Sequence, residues 1–149
     1  MNGLAKFIAT VFGSGFCPIA PGTAASFLTA LIYIFLLHGL PWPVQFLVIV
    51  ALFLIGVLTA SRYSAELGLR DPGCIVIDEV CGQLVALFML PPDPVTVAAA
   101  FFLFRIFDII KPYPIGKLEG FPRGWGIMAD DVGAGLVSAL VLRLVLVIL

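Results

Sequence analysis

Charge is what this chain has least of. Its 149 residues include eight Lys and Arg and nine Asp and Glu, 11% in all, where an ordinary soluble domain carries about 25%. So few charges cannot coat a water-facing surface. The apolar residues, 62% of the total, come in long blocks for which a soluble core has no use. A membrane protein is the class that fits. With a net charge of -1 there is no basic field to attract nucleic acid, and no nucleic-acid partner is expected. The only histidine is His38. The cysteines, Cys17, Cys74 and Cys81, are odd in number and lack an export context, which excludes a disulfide framework. None has partners at zinc-ligand spacing, and each reads as a small packing residue. Lys6 precedes a short apolar stretch without a small-residue cleavage pattern, so no signal peptide is expected.

What is present is helical in period and length. The pattern predicts an all-α, single-domain, polytopic membrane bundle over residues 1–149. It has about four transmembrane helices and an N-terminal interfacial or re-entrant segment. Residues 2–12 form that segment, and a Gly/Pro-rich loop over 13–22 follows it. Apolar stretches are placed at 23–37, 44–60 with a polar extension through 67, 75–90, 95–111, and from Asp130 to the C-terminus. Pro41, Pro43, Pro91, Pro92 and Pro112 supply the breaks. Several stretches are shorter than the roughly 20 residues needed to cross hydrocarbon. With the N-terminus inside, Lys6, Arg62, Arg70, Lys111, Lys117 and Arg123 all fall on one side, and the opposite loops, 38–43 and 91–94, carry no Lys or Arg. The positive-inside rule makes the basic side cytoplasmic.

The acids gather on that same side. Asp78 and Glu79 open the third stretch, Asp108 lies one turn before the end of the fourth, and Asp130 and Asp131 open the last. Acids at a helix N-terminus are commonly caps, which would account for four of the five. Asp108 is different: it sits at a C-terminal turn, where the helix dipole opposes a negative charge. An ionisable residue there, in so apolar a chain, marks a functional site. Five neighbouring carboxylates also demand a counter-charge, and Mg²⁺ suits hard oxygen ligands that bridge to phosphate. Arg105, Asp108 and Lys111 step along one helix at three-residue intervals. Arg105 either pairs with Asp108 or grips phosphate oxygens, and Lys111 adds a point charge. The loop before Thr23 leads into a helix N-terminus whose free N–H groups can receive a phosphate.

Several chemistries are excluded. No Cys-x₅-Arg run is present for a thiolate phosphatase, and His38 lies on the far side, away from any histidine-nucleophile role. Metal-activated water or an aspartate nucleophile remains. A transporter is the chief rival, but its site belongs near the midplane between repeated halves, whereas these acids lie at one edge and no repeat shows. A structural subunit of a membrane complex is the other rival. It would explain Gly133, Ala134, Gly135, Ser138 and Ala139, which otherwise read as packing within the bundle.

Three stretches carry a resemblance. They are Gly13-Ser14-Gly15 through Pro18 with Pro21-Gly22-Thr23; Asp71-Pro72 with Ile75-Val76-Ile77-Asp78-Glu79 and Gly82; and Phe104-Arg105-Ile106-Phe107-Asp108 with Lys111-Pro112-Tyr113-Pro114-Ile115, followed by Gly124 through Asp131. Together they resemble the phosphatidylglycerophosphatase A family of bacterial inner-membrane enzymes, over nearly the whole chain. Where that family usually has Gly-Gly, this chain has Arg123 before Gly124, which adds a cation for phosphate. The resemblance implies Mg²⁺-dependent removal of the terminal phosphate of phosphatidylglycerophosphate, an anionic phospholipid, at a site facing the cytoplasm. The residues expected to act are Asp78, Glu79, Asp108, Asp130 and Asp131 as metal ligands, and Asp108 or Asp131 as base. Arg105 and Lys111 are expected on the phosphate, with Ser14, Thr23 and Arg123 as further substrate contacts.

Overall fold

Helices begin and end where proline and glycine place them. The computed structural model describes residues 3–148; the expected helix start at Asn2 and the end at Leu149 lie outside them. Helix α1, Gly3–Ala9, is followed by a turn and a 3₁₀ segment, Ser14–Phe16. Helix α2, Pro21–Ile32, continues as a π-helical turn, Tyr33–Leu37. It starts two residues before the expected Thr23, because Pro21 at its first position has the helical φ and no N–H to lose. Pro41 precedes α3, Trp42–Leu67, which stops at Gly68 with φ +67. Then come α4, Ile77–Leu87; α5, Pro94–Ile110; the short α6, Ile115–Leu118; and α7, Gly124–Ile148. No strand occurs among the described residues.

Two findings depart from expectation. The third stretch is an 11-residue helix, not a full-length one. Helix α4 packs against α7, α2, α3 and α5, and nine of its residues are buried. At about 16 Å it is too short to cross a hydrocarbon core of about 30 Å. Among the described residues only α3 and α7, with 26 and 25 residues, are long and apolar enough to do so alone. Secondly, α7 begins at Gly124 and not at Asp130. Glycine is a poor helix former, so Gly124-Trp125-Gly126 reads as loop in the sequence. Packing overrides that preference: the Gly124 N–H donates to Ser61 Oγ at 2.9 Å. A Cβ there would strike the Val57 carbonyl of α3.

The outward faces are apolar. Phe27, Leu47, Leu58, Phe102, Leu140 and Leu144 are all at least half exposed, an apolar surface larger than a protein in water ordinarily leaves open. Inside, Val57, Ala60, Tyr63, Ile77, Cys81 and Met128 form one apolar cluster and Tyr33, Leu87, Leu90, Val97 and Leu142 another. The first lies toward the starts of α4 and α7, called here the near end, and the second toward the far end. The loop before α4 is pinned by Val76 N–H donating to Ala9 O at 3.0 Å.

Candidate active site

The near end of α4 is drawn tightly onto α7 by glycine. A Cβ on Gly82 would stand 2.6 Å from the Asp131 carbonyl oxygen and from the Phe104 ring, and one on Gly135 would meet the Gly82 carbonyl. That close approach sets Asp78 and Glu79 of α4 beside Asp131 of α7. One carboxylate oxygen from each of the three lies within 4.8 Å of the others. Asp108 of α5 lies near enough for its charge to act on Asp131. Asp130, on the next face of α7, accepts from Lys111 Nζ at 2.5 Å.

None of these acids caps a helix. No side-chain cap bond is made at the start of α4, where Val76 is the capping residue. Asp130 and Asp131 lie well inside α7, which starts at Gly124. Four carboxylate oxygens are buried with no hydrogen-bond partner: Asp78 Oδ1, Glu79 Oε2, Asp130 Oδ1 and Asp131 Oδ2. Crowded, acceptor-only oxygens in an apolar bundle are unstable without a positive charge between them. Hard oxygen donors turned toward one another suit a divalent cation such as Mg²⁺ or Ca²⁺, so the residues present fit a metal.

Two cations border the acids. Arg105 Nη1 lies 2.7 Å from Asp108 Oδ2, and both side chains are largely buried. Lys111 caps the C-terminus of α5 and also stands 3.7 Å from Glu119 Oε1. Burial alone would lower the Lys111 ammonium. The hydrogen bond and charge of Asp130, with Glu119 and Asp131 behind it, outweigh burial and hold it above the ordinary lysine range.

The start of α2 completes the arrangement. Gly22 is packed so closely on Glu79 Oε1 that a Cβ would collide, and that Cβ would lie 3.3 Å from Arg105 Nη1. The half-buried Thr23 follows it. Ser14 is committed elsewhere, donating to Thr10 O at 3.1 Å within its own loop. Arg123 is exposed and lines a surface groove with Arg70, Ser61 and Ser64. No contact among the described residues joins Arg123 to the acids. The structure thus gathers Asp78, Glu79, Asp108, Asp130, Asp131, Arg105 and Lys111, places Thr23 beside them, and leaves Ser14 and Arg123 apart. It adds Glu119, through Lys111, and Asp71, whose charge is felt by Asp130 and Asp78. Asp71 lies in a stretch that carries the resemblance, yet its turn-forming Asp-Pro-Gly context hid any second role.

Comparison with known proteins identifies the family. The model of the family described as phosphatidylglycerophosphatase A matches residues 7–146. A protein of Bacteroides thetaiotaomicron named "Putative phosphatidylinositol-3-phosphatase" is 42% identical over 91% of this chain and 89% of its own. The phosphatidylglycerophosphatase A of Escherichia coli is 42% identical over 89% of this chain and 77% of its own. That of Haemophilus influenzae is 39% identical over 90% and 83%. No solved structure matches the chain. With a family model spanning nearly the whole sequence and these relatives covered over most of their length, the chain belongs to the phosphatidylglycerophosphatase A family of lipid phosphatases.

Proposed function

We propose that this protein is a Mg²⁺-dependent phosphatase that converts phosphatidylglycerophosphate to phosphatidylglycerol and phosphate. The observation that carries this reading is the triad Asp78, Glu79 and Asp131, whose ligand oxygens lie within 4.8 Å of one another, bordered by Arg105 and Lys111. Asp78, Glu79 and Asp131 hold the cation, with Asp108 and Asp130 beside them. When bound, Mg²⁺ supplies Lewis-acid polarisation and charge neutralisation at the phosphoryl oxygens. The remaining steps belong to the chain. Arg105 and Lys111 meet the non-bridging oxygens, where charge builds in the transition state. A water attacks phosphorus in line with the headgroup oxygen, giving a proton to Asp108 or Asp131. The P–O bond to the headgroup breaks, and the leaving oxygen takes up the proton that this carboxyl accepted from water, departing as the alcohol. Gly22, beside Thr23 at the start of α2, abuts Glu79, so the free amides of that first turn are available to the phosphate, and Arg123 draws anionic lipid toward the site from the surface.

The membrane arrangement follows from the same residues. The whole chain acts as one domain in the bacterial cytoplasmic membrane, with α2 and its π turn, α3, α5 and α7 facing lipid. Helix α4 rises inside them, where neighbouring helices satisfy what a short span cannot. The basic loops and the carboxylates face the cytoplasm.

A specific observation keeps a second lipid in view: the Bacteroides relative, as similar as the Escherichia coli one, is named for phosphatidylinositol 3-phosphate. The test is phosphate release by purified protein from both lipids and from phosphatidic acid, with Mg²⁺ and with chelator. The expected result is Mg²⁺-dependent turnover highest on phosphatidylglycerophosphate. Full activity in excess chelator sinks the metal assignment, and preference for the inositol lipid reassigns the substrate.

A further inference from the structure

Just inside the carboxylates lies a second buried polar layer that the reaction above leaves unused. Two tie points set how α2 and α4 run beside each other. Gly22 abuts Glu79 at the near end, and Tyr33 Oη donates to Leu90 O at 2.6 Å at the far end. The two contacts come in the same order along both segments, so the segments run parallel. Four residues on from the first tie are Ser26 and Gln83. That spacing keeps each on the same face as Gly22 and Glu79, about 6 Å deeper into the bundle.

Both side chains are 0% exposed. Ser26 Oγ, Gln83 Nε2 and Gln83 Oε1 have no hydrogen-bond partner, nor does the neighbouring Arg105 Nε. Burying an amide and a hydroxyl unpaired costs free energy that Leu and Ala of similar shape would not. Other buried helical hydroxyls here avoid the cost by turning back onto their own helix. Thr29 donates to Ala25 O at 2.8 Å and Ser138 to Ala134 O at 2.7 Å. Ser26, buried in the same way, does not.

We propose that Ser26 and Gln83 form a hydroxyl-binding subsite that takes the free hydroxyl of the headgroup alcohol next to the phosphate ester. The inference rests on the phosphatidylglycerophosphatase reading. A hydroxyl both donates and accepts, so it satisfies Gln83 Oε1 with its proton and receives Gln83 Nε2–H or Ser26 Oγ–H on its oxygen. A phosphate oxygen, acceptor only, would leave Gln83 Oε1 unpaired. The depth is also right. In a phospholipid the headgroup alcohol lies between the terminal phosphate and the acyl chains. With the phosphate at the carboxylates, the alcohol falls on the membrane side of them. A bound water offers the same chemistry, and the test separates the two.

Parent, Gln83→Leu and Ser26→Ala proteins are assayed on phosphatidylglycerophosphate and on an analogue whose headgroup hydroxyl is replaced by hydrogen, and their thermal midpoints are recorded in detergent. The parent should favour the natural lipid in kcat/KM. In each variant this ratio should collapse toward one through a loss of about tenfold or more on the natural lipid, with the midpoint unchanged or raised. Equal losses on both lipids, in a parent that does not discriminate, give the subsite to a bound water. Parental kcat/KM on both lipids in both variants overturns the proposal and leaves Ser26 and Gln83 as packing. Should Gln83→Leu fail to fold, the smaller change Ser26→Ala decides. A parent inactive on phosphatidylglycerophosphate defeats the functional reading itself, a different failure from an active parent with indifferent variants.

Discussion

The two ends of α4 treat their buried polar groups in opposite ways. At the far end the helix stops at Leu87 and leaves peptide groups without helical partners, and side chains from three other helices take them. Tyr33 Oη donates to Leu90 O, Gln45 Oε1 accepts from Met89 N at 3.5 Å, and the Arg143 guanidinium donates to Phe88 O. Gln45 Nε2 adds a bond to Leu40 O at 2.9 Å. At the near end the balance is reversed. Five carboxylates face Arg105 and Lys111, and oxygens of Asp78, Glu79, Asp130 and Asp131 stay unpaired, with the Ser26 and Gln83 atoms behind them. The same chain, in the same bundle, can satisfy buried groups fully. On the function proposed, the unpaired groups at one end are those a guest would complete, and the paired ones at the other hold the fold.

The contrast breaks first, if it breaks, at the acids. Asp131→Asn, Asp78→Asn and Asp108→Asn each keep shape and an acceptor oxygen but lose a charge. Turnover on phosphatidylglycerophosphate should fall at least about a hundredfold, while metal-free Asp131→Asn and Asp78→Asn melt at the same temperature or higher because crowding of like charge is relieved, and Asp108→Asn, which also loses its ion pair with Arg105, melts no higher than the parent. Near-parental turnover in well-folded Asp108→Asn would remove that residue from the site. Lys111→Met should cost less, about tenfold in kcat/KM and mostly through KM, because a phosphate contact is lost while the cation ligands stay. The folded Lys111 pKa is raised, so its pairing with Asp130 contributes fully below the ordinary lysine value of about 10.4 and is lost only as pH rises through the higher folded value. A rate profile should show no Lys111 titration between about pH 6 and 10.

The far end should answer in the opposite sense. Arg143→Met leaves the half-buried Phe88 carbonyl without its donor. It should destabilise by about 1–3 kcal/mol while turnover per folded molecule holds. Tyr33→Phe should do the same more weakly. Loss of turnover at full stability in either would erase the distinction between the ends. The smallest effect belongs to Asp93, which caps α5 by accepting from Thr96 N–H at 2.9 Å, a bond that holds its carboxyl below the usual range. Its contribution is present above the unfolded carboxylate value of about 3.9 and is lost as pH falls through the lower folded value. Asp93→Asn should flatten that acid limb of the melting curve and leave the neutral midpoint nearly unchanged.

The gathering of Asp78, Glu79 and Asp108 was legible in the sequence because the start of α4 and the proline break after α5 are, whereas Asp130 and Asp131 join them from inside α7 and not from its start, as the sequence suggests. With few charges available, their positions carry information that a soluble surface would dilute. The start of α7 was not legible, since Gly124 and Gly126 weaken the helical pattern locally, and only contact with α3 shows why glycine stands there. The enclosure of α4 was hidden for a related reason. An apolar run reads alike whether lipid or protein covers it. Nothing near Arg143 in the sequence points to its role, because its partner is a carbonyl more than fifty residues away in the chain. Ser26 and Gln83 gave no signal at all, because one hydroxyl and one amide inside helices mean nothing until the contact of Gly22 with Glu79 sets each of them one turn inward of the carboxylates.

The most direct test of the central claim, that the near-end acids form one cation site, is thermal melting of the purified protein against Mg²⁺ concentration, for the parent and for Asp131→Asn. A cation that binds only the folded state raises stability by about 2.7 kcal/mol at a hundred times its Kd. The account predicts a saturable rise in the parent's midpoint and none in Asp131→Asn, whose metal-free midpoint equals or exceeds the parent's. The same Mg²⁺-dependent rise in both proteins would contradict it.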